Sequence, residues 1–319
     1  MKKLLFLAVF GVAIICAGCT ADGGNTGPVK QSAASMRVAV ILPSADAGGY
    51  WQYMRDGFIE GARDIDVDIK FYDSRTDSNN LELAMLIRQA AAAKVDAIAV
   101  QGLTEPYYRS ALQEAYDKGI LIAFVDNNVI DFADHLYVGT DNYGAGRFMA
   151  EKLIEISNEN AKIAVIVGTA GVPNLDERVK GFSDCISERE NMEIARIEYC
   201  NFDMMKVMDK YNTILHEEPS VDYIICLDGS GGLAFGSLMD PNKDPEKNIF
   251  CFDIGDEIAA AIRNGVIQGT VVQSPSEMGQ KAIKELYRCF TEGSFSAPII
   301  YTEVFFVDAF VLNEYNHEK

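Results

Sequence analysis

A chain of 319 residues can build one large or two ordinary domains with real cores, and 49% hydrophobic with 24% charged residues is a globular balance. A formal net charge of −19 without any basic stripe excludes nucleic acid as a partner and disfavours charge-driven docking on anionic lipid. The acidic excess is read as a solvated surface.

Lys2 and Lys3 precede an apolar run, Leu4 to Ile15, which is too short to span a bilayer and is followed by Ala17-Gly18-Cys19. This is the order of a cleaved secretory signal. It resembles a bacterial lipoprotein signal, although Cys16 stands where such signals usually carry an aliphatic residue. The resemblance implies a signal peptide over 1–18, lipidation of Cys19 and an extracytoplasmic protein anchored to the bacterial cell membrane. Residues 19–36, rich in Gly, Ser, Thr and Asn, are expected to be a flexible tether. Ordinary secretion with a nearby cleavage is the alternative. Beyond the signal and Cys19, the cysteines are Cys185, Cys200, Cys226, Cys251 and Cys289. An odd number cannot pair completely, none form C-x-x-C, and few histidines are available, so neither a disulfide framework nor a zinc site is expected.

From Arg37 onward, short β-branched runs alternate with amphipathic stretches. Strands are predicted at 37–42, 68–72, 95–100, 120–125, 136–138, 162–167, 193–198, 223–227, 248–252, 267–272 and 300–307. Several are apolar throughout, as in Ile120-Leu121-Ile122-Ala123-Phe124-Val125. Such runs mark strands covered on both faces, hence parallel sheets with helices on either side. The alternation predicts an α/β, doubly wound architecture. Val95-Asp96-Ala97-Ile98 is echoed by Val221-Asp222-Tyr223-Ile224, which suggests two lobes of similar build.

Ligands of open parallel sheets sit beyond the carboxyl ends of the strands. Reading past each end yields Ser44, Gln101, Asp126, Asn127, Thr140, Asp228, Ser230, Asp253 and Gln273, a concentration of side chains suited to hydroxyl groups. After the first strand, Gly49 leads into Tyr50 and Trp51, the chain's single tryptophan. Those rings either pack in the core or face a sugar's apolar C–H surface. Asp126 and Asp253 either face the ligand or cap the following helices.

The order of these features resembles the periplasmic sugar-binding proteins of the ribose/galactose type, the type I fold shared with LacI-like ligand-binding domains. Besides the first-helix Tyr50-Trp51 and Asp56-Gly57, it is carried by Phe124-Val125-Asp126, Gly139-Thr140-Asp141-Asn142, Glu177 to Phe182, Phe250 to Asp253 and Gly269 to Gln273. The resemblance implies two lobes, 37–139 plus 274–298 and 140–273 plus 299–319, joined by a three-segment hinge. It implies that Tyr50 and Trp51 sandwich a ligand, that Asp126 and Asp253 accept from its hydroxyls, and that Gln273 lies near the hinge. Phe202 would close from the second lobe, with Asp228 or Ser230 replacing a usual Asn. Two departures stand out, since Asn127 and Asp176 occupy positions where ribose-type relatives usually carry Arg. Arg178 either reaches the pocket or pairs with Asp176 or Glu177.

What the resemblance implies is a monomeric, non-enzymatic solute-binding lipoprotein without cofactor or metal. It would capture a small polar ligand, a monosaccharide or polyol, by hinge closure and deliver it to an ABC transporter permease. The alternative is a ligand sensor that presents its closed form to a chemoreceptor or sensor kinase. No catalytic motif such as G-x-S-x-G, a P-loop or H-E-x-x-H occurs.

Overall fold

Runs of apolar residues become buried strands, and each amphipathic stretch becomes a helix that covers them. The computed structural model describes residues 35–43, 49–74, 80–240 and 246–315; Ser44, Cys19 and the signal and tether segments fall outside them. With strands numbered along the chain, the first sheet runs in the order β11 (Ile299–Thr302), β5 (Leu136–Thr140), β4 (Leu121–Val125), β3 (Ala97–Gln101), β1 (Met36–Leu42) and β2 (Val67–Asp73). All its pairings are parallel. The second runs β12 (Phe305–Asp308), β10 (Gly269–Val272), β9 (Asn248–Phe252), β8 (Tyr223–Cys226), β6 (Ala161–Val167) and β7 (Met192–Tyr199). Only β12 is antiparallel to its neighbour.

The two strand orders are equivalent, with β1 to β5 matching β6 to β10. The sequence echo falls on the matching strands β3 and β8, and it has a structural cause. Asp96 accepts a hydrogen bond from the amide of Arg37 on β1, and Asp222 accepts one from the amide of Lys162 on β6. Each aspartate therefore fastens the start of its own strand to the neighbouring strand.

One predicted strand is two. The run at 300–307 divides at Glu303-Val304: β11 joins the first sheet beside β5, and β12 joins the second beside β10. The chain thus passes between sheets after β5, after β10 and between β11 and β12. The last passage lies beyond the predicted Ala297-Pro298 position, and residues 299–302 belong to the first sheet. No glycine or proline marks this crossing, so hydrophobicity reads continuously across it.

Helices α2 (Asn80–Ala92) and α3 (Pro106–Tyr116) cover one face of the first sheet, and α1 (Tyr50–Gly61) and α9 (Pro275–Glu292) cover the other. In the second lobe α4 (Asn142–Ser157) and α5 (Pro173–Ser187) cover one face, with α6 (Met204–Glu217), α7 (Gly229–Leu238) and α8 (Asp256–Arg263) opposite. The pairs α1/α9 and α4/α5 approach through facing glycines. A Cβ on Gly57 would overlap the carbonyl oxygen of Ser276, and one on Gly181 would overlap that of Tyr143. These contacts matter for function because α1 begins at Tyr50 and α5 carries Arg178. Gly57→Ala is expected to lose about 1–3 kcal/mol, the usual cost of forcing extra volume into a packed interface. Urea denaturation would read this as a lower midpoint at unchanged slope; an unchanged midpoint would mean that α1 and α9 are not in such close contact.

Candidate functional site

The carboxyl ends of the two sheets face a common cleft of about 240 Å³. Tyr50, Trp51, Gln101, Asp126 and Asn127 line it from the first lobe. Arg178, Phe202, Asp228, Ser230, Asp253 and Gln273 line it from the second. Sequence reasoning had singled out each of these residues.

Asp126 and Asp253 follow the equivalent strands β4 and β9, and their surroundings match closely. Both have φ of 66°, in the left-handed region. The amide of each donates to the adjacent strand, to Val138 at 3.2 Å and Val271 at 2.8 Å respectively. The carbonyl of each accepts a hydroxyl from that same strand, from Tyr137 Oη at 2.9 Å and Thr270 Oγ1 at 2.7 Å. Left-handed backbone costs a non-glycine residue about 1 kcal/mol or more, although aspartate is among the side chains that tolerate it best. The bonds on both sides hold the strain in place and aim the carboxylates across the cleft. Neither residue caps a helix; Asp141, Asp203, Asp228 and Asp308 do, each accepting an amide at the start of the following helix.

The carboxylates are also tied by side chains. Asp126 accepts from Tyr50 Oη at 2.7 Å and from Gln101 Nε2 at 2.8 Å, one donor per oxygen. Asp253 accepts from Gln273 Nε2 at 2.8 Å. A carboxylate oxygen accepts more than one hydrogen bond. Acceptor capacity therefore remains at both residues.

Arg178 is 2% exposed. Its Nε donates to Asn142 Oδ1 at 2.8 Å, one terminal nitrogen to the Leu227 carbonyl at 3.2 Å and the other to Gln273 Oε1 at 2.9 Å. The guanidinium lies over the Phe252 ring, 4.7 Å from its centroid. It makes no ion pair with Asp176 or Glu177, so its role is cleft floor. Gln273 Oε1 also accepts from Thr140 Oγ1 at 2.8 Å. Thr140 was predicted to line the cleft; it lies outside the cleft itself, lines an adjoining space and holds Gln273 where two interlobe passages meet.

Asp176 is the other correction. It is exposed, and its carboxylate accepts from the Gly171 amide at 3.1 Å. Two helical residues subtend roughly 200°, which places it on the opposite side of α5 from Arg178. Replacing Arg by Asp there adds no anion to the cleft. Val172, Asn174, Leu175 and Gly229 also line it; sequence reading placed Gly229 past the end of β8 and missed the other three. Those three follow the end of β6 and open α5, so the same strand-end rule applied to β6 would have found them.

Tyr50 and Trp51 meet edge to face with centroids 5.1 Å apart. Tyr50 Oη also lies 3.5 Å from the Met278 sulfur of α9. Phe202 follows Asn201, both at positive φ, and its exposed ring lies over Gly168, where any Cβ would collide with it.

Residues 38–293 match the periplasmic binding protein domain. The chain belongs to that family. A D-apiose import binding protein of Paraburkholderia graminis is 21% identical over 299 residues, covering 93% of this chain and 91% of its own. A ribose import binding protein of Haemophilus influenzae is 21% identical over 260 residues, 80% of this chain and 86% of its own. In the crystal structure of GanP, a glucose-galactose binding protein from Geobacillus stearothermophilus, the matched chain is 28% identical with a TM-score of 0.78, covering 86% of this chain and 98% of that one. Membership makes this an extracytoplasmic binding protein of the two-lobed type and not an enzyme.

Three cleft carboxylates of this binding protein have pKa values above the ordinary range, and burial is the main cause for Asp126, Asp228 and Asp253. The Arg178 charge opposes the shift at all three, while Asp126 and Asp228 add to it at Asp253. A carboxyl raised on folding stabilises the native state fully below its unfolded value, and that contribution is lost as pH rises through the folded value. The ligand-free protein is thus under charge strain at neutral pH. Asp253→Asn should raise its melting temperature at pH 7. The gap from wild type should narrow as pH falls from the raised value toward 3.8. Calorimetry across that range would contradict the assignment if the gap stayed constant.

Proposed function

We propose that the protein captures a neutral sugar, with one ring held in the cleft, by hinge closure of the two lobes, and delivers it to an ABC transporter permease. The observation that carries this reading is a single cavity lined from both lobes by carboxylates, amides and three aromatic rings. Carboxylates accept from ring hydroxyls, the amides of Gln101 and Asn127 serve either role, and Tyr50 or Trp51 offers a flat face to ring C–H groups. A ligand that touches both lobes favours the closed state by its differential affinity for it. The sugars for which the relatives are named, D-apiose, ribose and glucose-galactose, support the sugar class. Three carboxylates around one guanidinium disfavour an anion, and their surplus charge is neutralised in part by hydroxyl donors.

A thermal-shift screen of monosaccharides, polyols, amino acids and polyamines tests the reading. A sugar bound at micromolar strength should raise the melting temperature by several degrees at millimolar concentration through mass action. Trp51, the only tryptophan, should report the same ligand by a change in fluorescence. Asp253→Ala should abolish both signals while leaving a folded protein. Response to polyamines alone would reject the sugar class.

The proposal extends to attachment: cleavage before Cys19 and lipidation of that residue leave the lobes tethered by residues 19–36 to the extracytoplasmic face of the cell membrane. Cys19→Ser should move the protein from the membrane fraction to the soluble extracytoplasmic fraction. Continued membrane retention of that variant would remove the anchor.

A further inference from the structure

A second cavity, of about 260 Å³, adjoins the cleft on the side where β5 and β11 end. Two residues line both spaces, Asn127 from the first lobe and Asn174 from the second. Neither side-chain oxygen has a donor among the described residues, and Asn127 is only 8% exposed. A buried polar atom left unpaired costs about 1–3 kcal/mol. Two such acceptors at one partition create a place where incoming hydroxyl donors are strongly favoured. The partition takes one residue from each lobe, so opening the lobes parts it.

The second space has the chemistry of a ring site. Tyr137 and Tyr301 meet edge to face at 6.3 Å and present aromatic surface, Pro298 and Ile299 add apolar walls, and Glu177 contributes a carboxylate. No arginine or lysine lines it. His135 directs its ring nitrogens to the Ala133 carbonyl and to Asn128 Oδ1. Each cavity alone is smaller than the roughly 300–1,000 Å³ of ordinary small-molecule sites, and the two joined fall within that range.

We propose that the ligand is longer than one sugar ring: a disaccharide or glycoside that crosses between Asn127 and Asn174, one ring in the cleft and its second unit in the adjoining cavity. This rests on the sugar reading above. The second unit satisfies the orphan amide oxygens, which a single ring in the cleft reaches from one side only.

Isothermal titration of the purified protein tests it with galactose, glucose and arabinose against lactose, cellobiose, maltose and the p-nitrophenyl glycosides of the same three sugars. At least one two-unit probe should bind about tenfold or more tightly than its parent monosaccharide, a difference of about 1.4 kcal/mol. Ile130, 76% exposed at the rim of the second cavity, supplies the control. Ile130→Trp fills that space from outside, and should cost the two-unit probe most of its advantage while leaving the monosaccharide affinity unchanged. Monosaccharide binding with every two-unit probe weaker overturns the two-unit ligand and leaves the sugar reading standing. Equal loss of both classes in Ile130→Trp also overturns it. Absence of binding by all of these probes overturns this inference, and the wider thermal-shift screen then decides the sugar reading.

Discussion

The cleft depends on a buried guanidinium that spends its donors on neutral acceptors. Arg178 bonds to an asparagine, a glutamine and a backbone carbonyl, and to none of the three aspartates whose charge it offsets. A direct ion pair would have consumed the carboxylate lone pairs. Held a short distance away, the cation lowers the cost of burying negative charge while leaving those oxygens available. Gln273 is the relay: its carbonyl oxygen accepts from Arg178 and Thr140, and its amide nitrogen donates to Asp253. The same side chain therefore links the guanidinium, a carboxylate and two of the interlobe passages.

Around this centre the two lobes repeat one plan. Equivalent strand orders place Asp126 and Asp253 at matching ends, with the same left-handed backbone and the same pair of main-chain hydrogen bonds. Facing glycines set the spacing of α1 on α9 and of α4 on α5, and so fix where Tyr50 and Arg178 emerge. The plan is shared but the chemistry is not. The first lobe contributes the two aromatic rings of α1 and one carboxylate, and the second contributes the cation, two carboxylates and the Phe202 ring.

Much of this was legible in the chain itself. Continuous apolar runs such as that ending at Val125 identify parallel strands, and once strands are known the topological rule points to their ends, where Gln101, Asp126, Asp253 and Gln273 all lie. Trp51 was legible as the first helix of such a unit. What escaped did so for identifiable reasons. Ile299 to Asp308 contains no turn residue at its crossing, so its division between two sheets leaves no mark in hydropathy. The side of α5 that bears Asp176 depends on helical phase, which proximity to Arg178 in sequence conceals. Thr140 has the right chemistry for a ligand, and only the position of Gln273 shows its hydroxyl already engaged. The left-handed conformation of the two aspartates has no compositional signature, because aspartate is not confined to it.

The cysteines have a consequence of a different kind. Cys185, Cys200, Cys226, Cys251 and Cys289 are all buried and unpaired, and burial raises each thiol, that of Cys251 to about 12. Among the described residues no disulfide contributes to holding either lobe. The same thiols are protonated and screened from reagents until a lobe breathes. Four lie in the second lobe and Cys289 alone in the first, which makes alkylation rate a built-in clock for how often each half comes apart.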